Sequence, residues 1–415
     1  MGVQLGVIAD DFTGGTDIAS FLVANGVKTI QLSGIQSLDS IADDVQAIVV
    51  SLKSRSNPVD EAIGQSLQAL ELLKTAGARQ IFFKYCSTFD STARGNIGPV
   101  TDALLDALDE DFTVVCPALP VNGRTTYQGY LFVNGVPLDE SGMRNHPVTP
   151  MTDASLVRLM DGQSTGTTGL VPVDTIEGGR EAVDEALAEL KAAGNRYAVL
   201  DALSDRHLDV LGQAVAEMRL VTGGSGLGGA IARALPDAAR GGRTSFIPKT
   251  GPVVILSGSC SVMTNDQVAD YKTKGPCLAV DVDRLLTSPT GYDAEVLAWF
   301  SEQPSTGPAP LIFATAGPEE VQRLQRTYGS AETSQAIEGF FARIAIRLVQ
   351  DGIQRMVVAG GETSGSVTTA LGITGFEVGE PIAPGVPWVR TLDRRVDLAL
   401  KSGNFGAVDF FSQAQ

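Results

Sequence analysis

Polar side chains that could do chemistry follow four short apolar segments in the first third of the chain. The segments read LGVIA, AIVVS, QIFFKY and FTVVCPALP, and the polar residues in or after them are Asp10, Asp11, Arg55, Lys84, Asp90, Ser91, Arg94 and Asn122. Short apolar runs bounded by turn signals and separated by helical stretches are typical of buried parallel strands. Ligands of such sheets bind beyond the carboxyl ends of the strands. We therefore expect these side chains to gather at one edge, where their mixture suits an anionic small molecule and a metal ion.

A glycine-rich loop follows the apolar run near residue 220. Gly224, Gly226 and Gly229 match the spacing GxGxxG. A dinucleotide site also requires a following strand that ends in an acidic residue about 20 residues later, whereas this chain enters a segment rich in glycine and proline. Free N–H groups at the start of the helix favour an anion, with Gly226 as the candidate contact. Close packing of the helix on the sheet is the alternative.

Two further glycine loops and a lysine occur in the last part of the chain. Ser257 opens the turn SGS, Gly360 and Gly361 open GGET, and Lys401 and Gly403 lie in KSGNFG. Glycines allow a backbone to approach a ligand closely. The sequence contains no GxxxxGK[ST] motif, so a Walker P-loop is excluded. Two such loops in one domain, with a lysine beyond them, favour a site for nucleotide phosphates.

The composition narrows the class of protein. A length of 415 residues fits two or three domains, and a net charge of −17 argues against a nucleic-acid partner. No apolar stretch approaches the ~20 residues that span a membrane, and no signal peptide is evident. The four cysteines lie far apart, which argues against zinc or disulfides and predicts a reduced, cytoplasmic protein. Two histidines make a histidine-based catalytic triad improbable.

The order of apolar and helical patterns predicts two α/β domains with mainly parallel sheets and an active-site cleft between them. The predicted domains are residues 1–235 and 252–415, joined by a linker at residues 236–251 that is rich in Gly and Pro. Aromatic-rich segments around Asn134 and Gly135 predict a β-hairpin inserted in the first domain. The predicted strands begin near residues 6, 47, 80, 113, 169, 197 and 219 in the first domain, and near 252, 278, 310, 355 and 376 in the second.

Five motifs, taken together and in this order, resemble those of the four-carbon acid sugar kinases. They are IADDFTGGTDIA, FKYCSTFDSTARGNIG, SGSCSVMTNDQV, GGETSGSV and LKSGNFG, and the resemblance runs from about residue 5 to residue 411. It implies an ATP-dependent kinase whose first domain binds the acid sugar and whose second binds the nucleotide. The implied reaction transfers the γ-phosphoryl group of ATP to the 4-hydroxyl of a 3-dehydro-tetronate. By the same resemblance, the nucleotide contacts are Ser257, Gly360, Gly361, Glu362, Thr363 and Gly403.

The implied phosphoryl transfer requires groups that bind the substrate and groups that orient its hydroxyl, and the polar residues of the first domain are the candidates. Arg55 and Arg94 are the best candidates to grip the substrate carboxylate, since a guanidinium forms paired hydrogen bonds with a carboxylate. Lys84 could assist them. Asp10, Asp11 and Asp90 are the candidates to activate or orient the attacking hydroxyl, although Asp11 could instead cap a helix. The remaining assignments are Ser91, Asn122 and Gly226 to the substrate and Lys401 to the phosphates.

The sequence also bears on the metal cofactor and on alternative substrates and functions. Mg²⁺ is expected with ATP, but the sequence identifies no ligand for it. A homo-oligomer is a possible state that the sequence does not determine. Within the family, D-threonate and D-erythronate are alternative substrates. Outside it, the alternatives are an NAD-linked oxidoreductase built on the loop from Gly224 to Gly229 and a non-catalytic sensor of a sugar acid or nucleotide.

Overall fold

A computed structural model describes residues 2–38, 44–145, 149–236, 246 and 248–415. It divides into two compact units, Met1–Thr244 and Ser245–Gln415. The predicted linker at 236–251 lies largely outside the described residues, since only 236, 246 and 248–251 are described.

The first unit is built on a parallel sheet. Its strands are β1 (Leu5–Ala9), β2 (Thr29–Ser33), β3 (Ala47–Ser51), β4 (Gln80–Lys84), β5 (Thr113–Cys116), β6 (Arg124–Tyr127), β7 (Tyr130–Val133), β8 (Val136–Pro137), β9 (Thr168–Val171), β10 (Tyr197–Leu200) and β11 (Leu220–Gly223). Eight of them form the parallel order β2-β3-β1-β4-β11-β5-β10-β9. The apolar residues of the central strands are buried on both faces, as a sheet covered by helices requires.

Helices connect these parallel strands. They are α1 (Phe12–Ala24), α2 (Val59–Thr75), α3 (Ile97–Leu108), α4 (Leu156–Asp161), α5 (Val173–Glu177), α6 (Arg180–Ala192), α7 (Asp205–Ala214) and α8 (Ser225–Ala234). Short 3₁₀ turns lie at Pro120–Asn122, Leu138–Glu140 and Gly142–Asn145. Helices α2 and α6 form where apolar residues recur at helical spacing.

Strands β6, β7 and β8 form a separate three-stranded antiparallel sheet. Its second turn, Asn134-Gly135, has positive φ at both residues, as the predicted hairpin requires. Its first turn, Gln128-Gly129, has the same geometry but was not predicted. Both amides of that first turn donate to the buried Asp201 carboxylate, at 2.7 and 2.9 Å.

The second unit has a mixed sheet. Its strands are β12 (Val253–Ser257), β13 (Cys277–Ala279), β14 (Leu311–Phe313), β15 (Arg355–Ala359), β16 (Gly375–Ala383), β17 (Val386–Thr391) and β18 (Asp397–Lys401). The order β13-β14-β12-β15-β18 is parallel, and β17 and β16 continue it in antiparallel pairing. The helices are α9 (Val262–Tyr271), α10 (Val282–Thr287), α11 (Tyr292–Ser301), α12 (Pro318–Tyr328), α13 (Ser330–Gln350), α14 (Gly361–Ala370) and α15 (Phe410–Gln413).

The observed fold confirms the predicted class, α/β with mainly parallel sheets. Strands β3 and β15 begin at the predicted residues 47 and 355, but β2, β17 and β18 were not predicted. Helix α14 begins at Gly361. Among the described residues, no helix is both long and apolar enough to cross a membrane. The predicted cleft between the domains stays a prediction.

Candidate active site

The carboxyl ends of the central strands of the first unit lie in one row. Ala9 of β1 is in register with Ser51 of β3 and with Lys84 of β4, and Lys84 is in register with Gly223 of β11. The chain segments that follow these residues therefore emerge at the same edge of the sheet. This register brings together candidate residues that are distant in sequence, such as Asp10 and Asp90, which are 80 residues apart.

Arg55 is the centre of the polar cluster at this edge. Its Nε and Nη2 atoms donate to the two oxygens of Asp10 at 2.9 and 2.8 Å, and Nη2 also donates to Asp11 at 2.7 Å. Its Nη1 atom lies 3.8 Å from Asp90 Oδ2. One guanidinium thus serves three carboxylates. The geometry shows how Arg55 stabilises the acidic cluster, while its predicted contact with a substrate carboxylate stays a prediction.

The two adjacent aspartates have different environments. Burial raises the pKa of Asp10, and Arg55 opposes that rise without cancelling it. Asp11 is the N-cap of α1 and accepts hydrogen bonds from Gly14 N at 3.0 Å and Thr13 Oγ1 at 2.8 Å. Burial acts to raise the pKa of Asp11 as well, but Arg55 and these hydrogen bonds outweigh it and the pKa is lowered. Asp11 therefore fills the capping role that the sequence left open.

The loop after β4 supplies the next group of candidates. Asp90 accepts a hydrogen bond from Thr88 Oγ1 at 2.7 Å through Oδ1, which leaves Oδ2 for the Arg55 ion pair. Ser91 is buried and donates to Gln163 Oε1 at 2.7 Å, so its hydroxyl braces the loop. Arg94 is exposed, and within the described parts of the chain its guanidinium makes no hydrogen bond or ion pair.

Asn122 and Gly226 lie on two other connections. Asn122 ends the 3₁₀ turn after β5, and its backbone carbonyl accepts from Arg124 Nη1. Gly226 is in the first turn of α8, where a Cβ atom would lie 2.6 Å from Ala118 O and 2.9 Å from Leu208 Cδ1. The missing side chain of Gly226 therefore allows close packing of α8, which was the structural alternative for this loop. Its predicted substrate contact stays a prediction.

The second unit brings its three candidate segments together. Ser257, Ala359 and Lys401 end the neighbouring strands β12, β15 and β18 and are in register. The amides of Gly258 and Ser259 donate to Ala359 O at 3.0 and 3.2 Å. The segments SGSCS, GGET and KSGN therefore form one surface at the carboxyl edge of this sheet.

Two helices begin at this surface, and they present backbone N–H groups. Ser261 caps α9 through a hydrogen bond from Thr264 N at 3.2 Å. Helix α14 begins at Gly361, so Glu362 and Thr363 lie in its first turn, where amides have no intrahelical acceptor. Such groups, together with the helix dipole, favour bound phosphate.

Glycines make the close approach of these segments feasible. Gly360 has φ of +122°, and a Cβ atom there would lie 3.0 Å from Thr363 Oγ1 and 3.2 Å from Ser259 N. A Cβ atom at Gly403 would lie 2.7 Å from Ser259 Oγ. Ser257, in contrast, is fully buried, and its hydroxyl lies 2.7 Å from Thr315 Oγ1. Its predicted nucleotide contact is therefore not visible in its side-chain geometry and stays a prediction.

Lys401 holds the last segment in place. It is fully buried, and its Nζ atom donates to Thr264 Oγ1 at 3.1 Å, Ser402 O at 3.0 Å and Gly403 O at 2.8 Å. Burial lowers the pKa of Lys401 to about 7. The lysine thus fixes the turn that leads into Gly403, and a phosphate nearby would favour its charged form.

Lys401→Met should change the pH dependence of stability. The folded protein binds this proton with a pKa of about 7 against the ordinary 10.5, so the unfolded chain holds more protons between these pH values. Unfolding free energy of the wild type should therefore rise relative to that of the variant by about 1–2 kcal/mol from pH 7 to pH 9. Urea denaturation at both pH values measures this. The exposed Lys74→Met is the control, for which the difference in unfolding free energy from the wild type should not change between pH 7 and pH 9. The same pH-independent difference for Lys401→Met would contradict the prediction.

The two edges differ little in the metal ligands that they offer. Within the described segments, no group of three or more histidine, cysteine or acidic side chains could hold a metal ion. Asp10 and Asp11 direct their oxygens at Arg55 instead. The donor set therefore fits Mg²⁺ only as an ion held mainly by phosphate oxygens and water, which is its usual state with a nucleotide.

Sequence reasoning missed one buried acidic residue at the first site. Asp17 lies on α1, accepts a hydrogen bond from Ser225 Oγ and is 3.8 Å from Lys84 Nζ. The signal for it was an aspartate within the otherwise apolar run of α1, because a buried charge requires a partner. Lys84 is itself buried rather than directed to solvent.

Comparison with known proteins defines the class. The family model described as a sugar-binding N-terminal domain matches residues 5–231, and the one described as a nucleotide-binding C-terminal domain matches residues 254–411. The chain is thus a two-domain protein of the class that combines these domains. The two polar edges described above lie one in each matched region.

Individual relatives identify the family within that class. A Brucella melitensis protein named 3-oxo-tetronate kinase is 55% identical over 100% of this chain and 95% of its own length. A Haemophilus influenzae protein of the same name is 54% identical over 99% of both chains. The crystal structure of a Salmonella typhimurium protein matches with a TM-score of 0.92 and 53% identity, covering 99% of this chain and 98% of that one. The chain belongs to the four-carbon acid sugar kinase family, together with the 3-oxo-tetronate kinases, which confirms the resemblance seen in its motifs.

Proposed function

We propose that this protein is an ATP-dependent kinase that phosphorylates 3-oxo-tetronate at its 4-hydroxyl group. The observation that carries the proposal is identity above 50% with proteins named 3-oxo-tetronate kinase over almost the whole chain. The names of these relatives give no support to the NAD-linked alternative. D-threonate and D-erythronate remain the alternative substrates within the family.

We assign binding of the acid sugar to the polar edge of the first unit and binding of ATP to the polar edge of the second. Residues 1–235 bind the acid sugar, residues 252–415 bind ATP, and residues 236–251 link them. At the nucleotide edge, the amides of Gly361, Glu362 and Thr363 and the turn held by Lys401 contact the phosphates, because helix N-termini favour anions. Mg²⁺ enters with ATP and neutralises phosphate charge. A cytoplasmic location and a homo-oligomeric state stay predictions.

Among the described residues at the acid-sugar edge, the Arg94 guanidinium has no hydrogen bond or ion pair, and Asp90 Oδ2 has only the longer ion pair with Arg55, at 3.8 Å. We assign the substrate carboxylate to Arg94, because the guanidinium of Arg55 already serves Asp10 and Asp11. We assign the attacking hydroxyl to Asp90, whose Oδ2 atom accepts no hydrogen bond within the described residues. Orienting the hydroxyl is enough for this role, since phosphoryl transfer depends mainly on positioning and charge neutralisation.

An assay of ADP release tests the proposed function. The purified protein would be given MgATP with freshly prepared 3-oxo-tetronate, D-threonate or D-erythronate. We expect the highest kcat/KM with 3-oxo-tetronate and no ADP release without an acid sugar. Preference for either alternative acid would move the assignment to another substrate of the family, and ADP release that ignores the acid would refute the kinase assignment.

Arg94→Ala should weaken binding of the acid sugar without affecting ATP. An arginine–carboxylate pair contributes about 1–3 kcal/mol, so KM for the acid should rise roughly 10- to 100-fold while KM for ATP stays within twofold. Arg180, exposed on α6 and paired with Asp184 at 3.3 Å, provides a matched control. If Arg94→Ala resembled Arg180→Ala in every kinetic constant, Arg94 would have no part in the site.

A further inference from the structure

Lys84 and Asp17 form a buried pair of charges inside the first unit. Lys84 is 2% exposed and Asp17 is 5% exposed. Lys84 Nζ lies 3.8 Å from Asp17 Oδ2, and a Cβ atom on Gly14 would lie 3.3 Å from the same Nζ. The tip of Lys84 thus rests against the first turns of α1, next to the carboxyl edge of the sheet.

The opposite charges of Lys84 and Asp17 compensate each other in the buried environment. A buried charge without a partner costs several kcal/mol, and an opposite charge nearby offsets part of that cost. Burial raises the pKa of Asp17, whereas Lys84 and the Ser225 hydrogen bond act to lower it. Within the described chain, Lys84 is the only cation within 4.0 Å of Asp17. Lys84 therefore favours the charged form of Asp17.

The hydrogen bonds of the pair are incomplete. An ammonium has three donors, but the only acceptor within hydrogen-bond distance of Lys84 Nζ among the described residues is Tyr85 O, at 2.9 Å. Asp17 Oδ1 is buried and has no hydrogen-bond partner there. Unsatisfied buried polar atoms are costly and often mark a functional site. Two donors on Lys84 thus remain for a ligand.

Neighbouring carboxylates do not perform the same task. Asp10 and Asp11 also influence the electrostatics around Lys84, but Arg55 holds both of them with direct hydrogen bonds. Arg124 is a further charge that acts on Asp17. Asp17, in addition, is fixed by a hydroxyl from another helix, Ser225 of α8.

We infer that Asp17 is a positioning residue, which holds the Lys84 ammonium so that its remaining donors bind an oxygen of the acid sugar. This inference rests on the proposed kinase function. Asp17 acts through Lys84, because its Oδ2 atom faces both the Lys84 ammonium and the Ser225 hydroxyl. Ser225 fixes the carboxylate in turn.

A double-mutant cycle tests this coupling. Asp17→Asn keeps the size of the side chain but removes its charge, and Lys84→Met removes the ammonium. Each single variant should lower kcat/KM for the acid sugar about 10- to 100-fold while KM for ATP stays within twofold. The kcat/KM of the double variant should lie within about threefold of that of Lys84→Met. The inference would be wrong if the two losses in kcat/KM multiplied in the double variant. It would also be wrong if the kcat/KM of Asp17→Asn were within twofold of the wild-type value.

Two further variants separate positioning from folding. Asp102 is another buried carboxylate of the first unit, which accepts hydrogen bonds from Thr165; Asp102→Asn should lower thermal stability but leave kcat/KM within twofold. If Asp17→Asn failed to fold, Ser225→Ala would replace it, with an expected loss of about 3- to 10-fold in kcat/KM that disappears in the Lys84→Met background. A Ser225→Ala loss that persists in that background contradicts the inference. Absence of phosphotransfer in the wild type would refute the proposed function instead.

Discussion

Arg55→Ala should abolish measurable turnover and destabilise the first unit by about 3–5 kcal/mol. Arg55 binds Asp10 through two hydrogen bonds and Asp11 through a third, and it pairs with Asp90. Its removal leaves these carboxylates to repel one another at the proposed acid-sugar site. Denaturant unfolding and the ADP-release assay measure the two effects.

A surface arginine provides the control for this prediction. Arg158 forms an equally short pair with Asp153, with hydrogen bonds of 2.8 and 2.5 Å, but its side chain is 58% exposed. Arg158→Ala should therefore cost less than about 1 kcal/mol. Arg55→Lys should recover part of the stability but little activity, because lysine cannot bridge the carboxylates with a planar fork. Equal costs for Arg55→Ala and Arg158→Ala would show that burial does not set the importance of Arg55.

Gly360→Ala should weaken ATP binding by at least about tenfold. The φ of +122° at this residue is strained for any residue with a Cβ atom, at a cost of about 1–3 kcal/mol. The added atom would also press on Thr363 Oγ1 and Ser259 N, at 3.0 and 3.2 Å. Relief of that contact displaces the start of α14 from the proposed phosphate site. Isothermal titration with MgATP measures the loss, while binding of the acid sugar should be unchanged.

Gly365, on the same helix, is the matched control for this change. A Cβ atom at Gly365 would meet nothing within 4 Å, and alanine is the better helix former by about 1 kcal/mol. Gly365→Ala should therefore leave ATP affinity unchanged and raise stability slightly. ATP affinity that survives Gly360→Ala would place the phosphates away from this turn.

The parallel strands and their polar ends could be predicted because each signal is local. LGVIA, AIVVS and QIFFK are continuous apolar runs followed by charge, and β1, β3 and β4 form there. Strand β2 was missed because Gln31 interrupts its apolar pattern. In the structure Gln31 is buried and hydrogen-bonded to Thr16 and Ser51, at 3.0 and 2.9 Å. A sequence does not show that such a polar side chain has partners.

The residues of the site could be predicted from the sequence, but the contacts between them could not. The position of Arg55 after the apolar run AIVVS predicted that it lies at the same edge as the carboxylates. Only the register of β1 and β3 shows that Asp10 and Asp11 share it. The pairing of Lys84 with Asp17 likewise depends on how α1 packs on β4. Contacts between residues distant in sequence are set by packing, which the spacing of residues along one segment does not encode.

Phosphorus NMR of the reaction product tests the central claim most directly. The protein would be incubated with MgATP and fresh 3-oxo-tetronate, and the proton-coupled ³¹P spectrum recorded. We predict one new phosphomonoester, equal in amount to the ADP formed and split into a triplet, because the 4-hydroxyl is carried by a CH₂ group. A doublet, which phosphorylation of the CH-borne 2-hydroxyl would give, or inorganic phosphate alone would contradict the account.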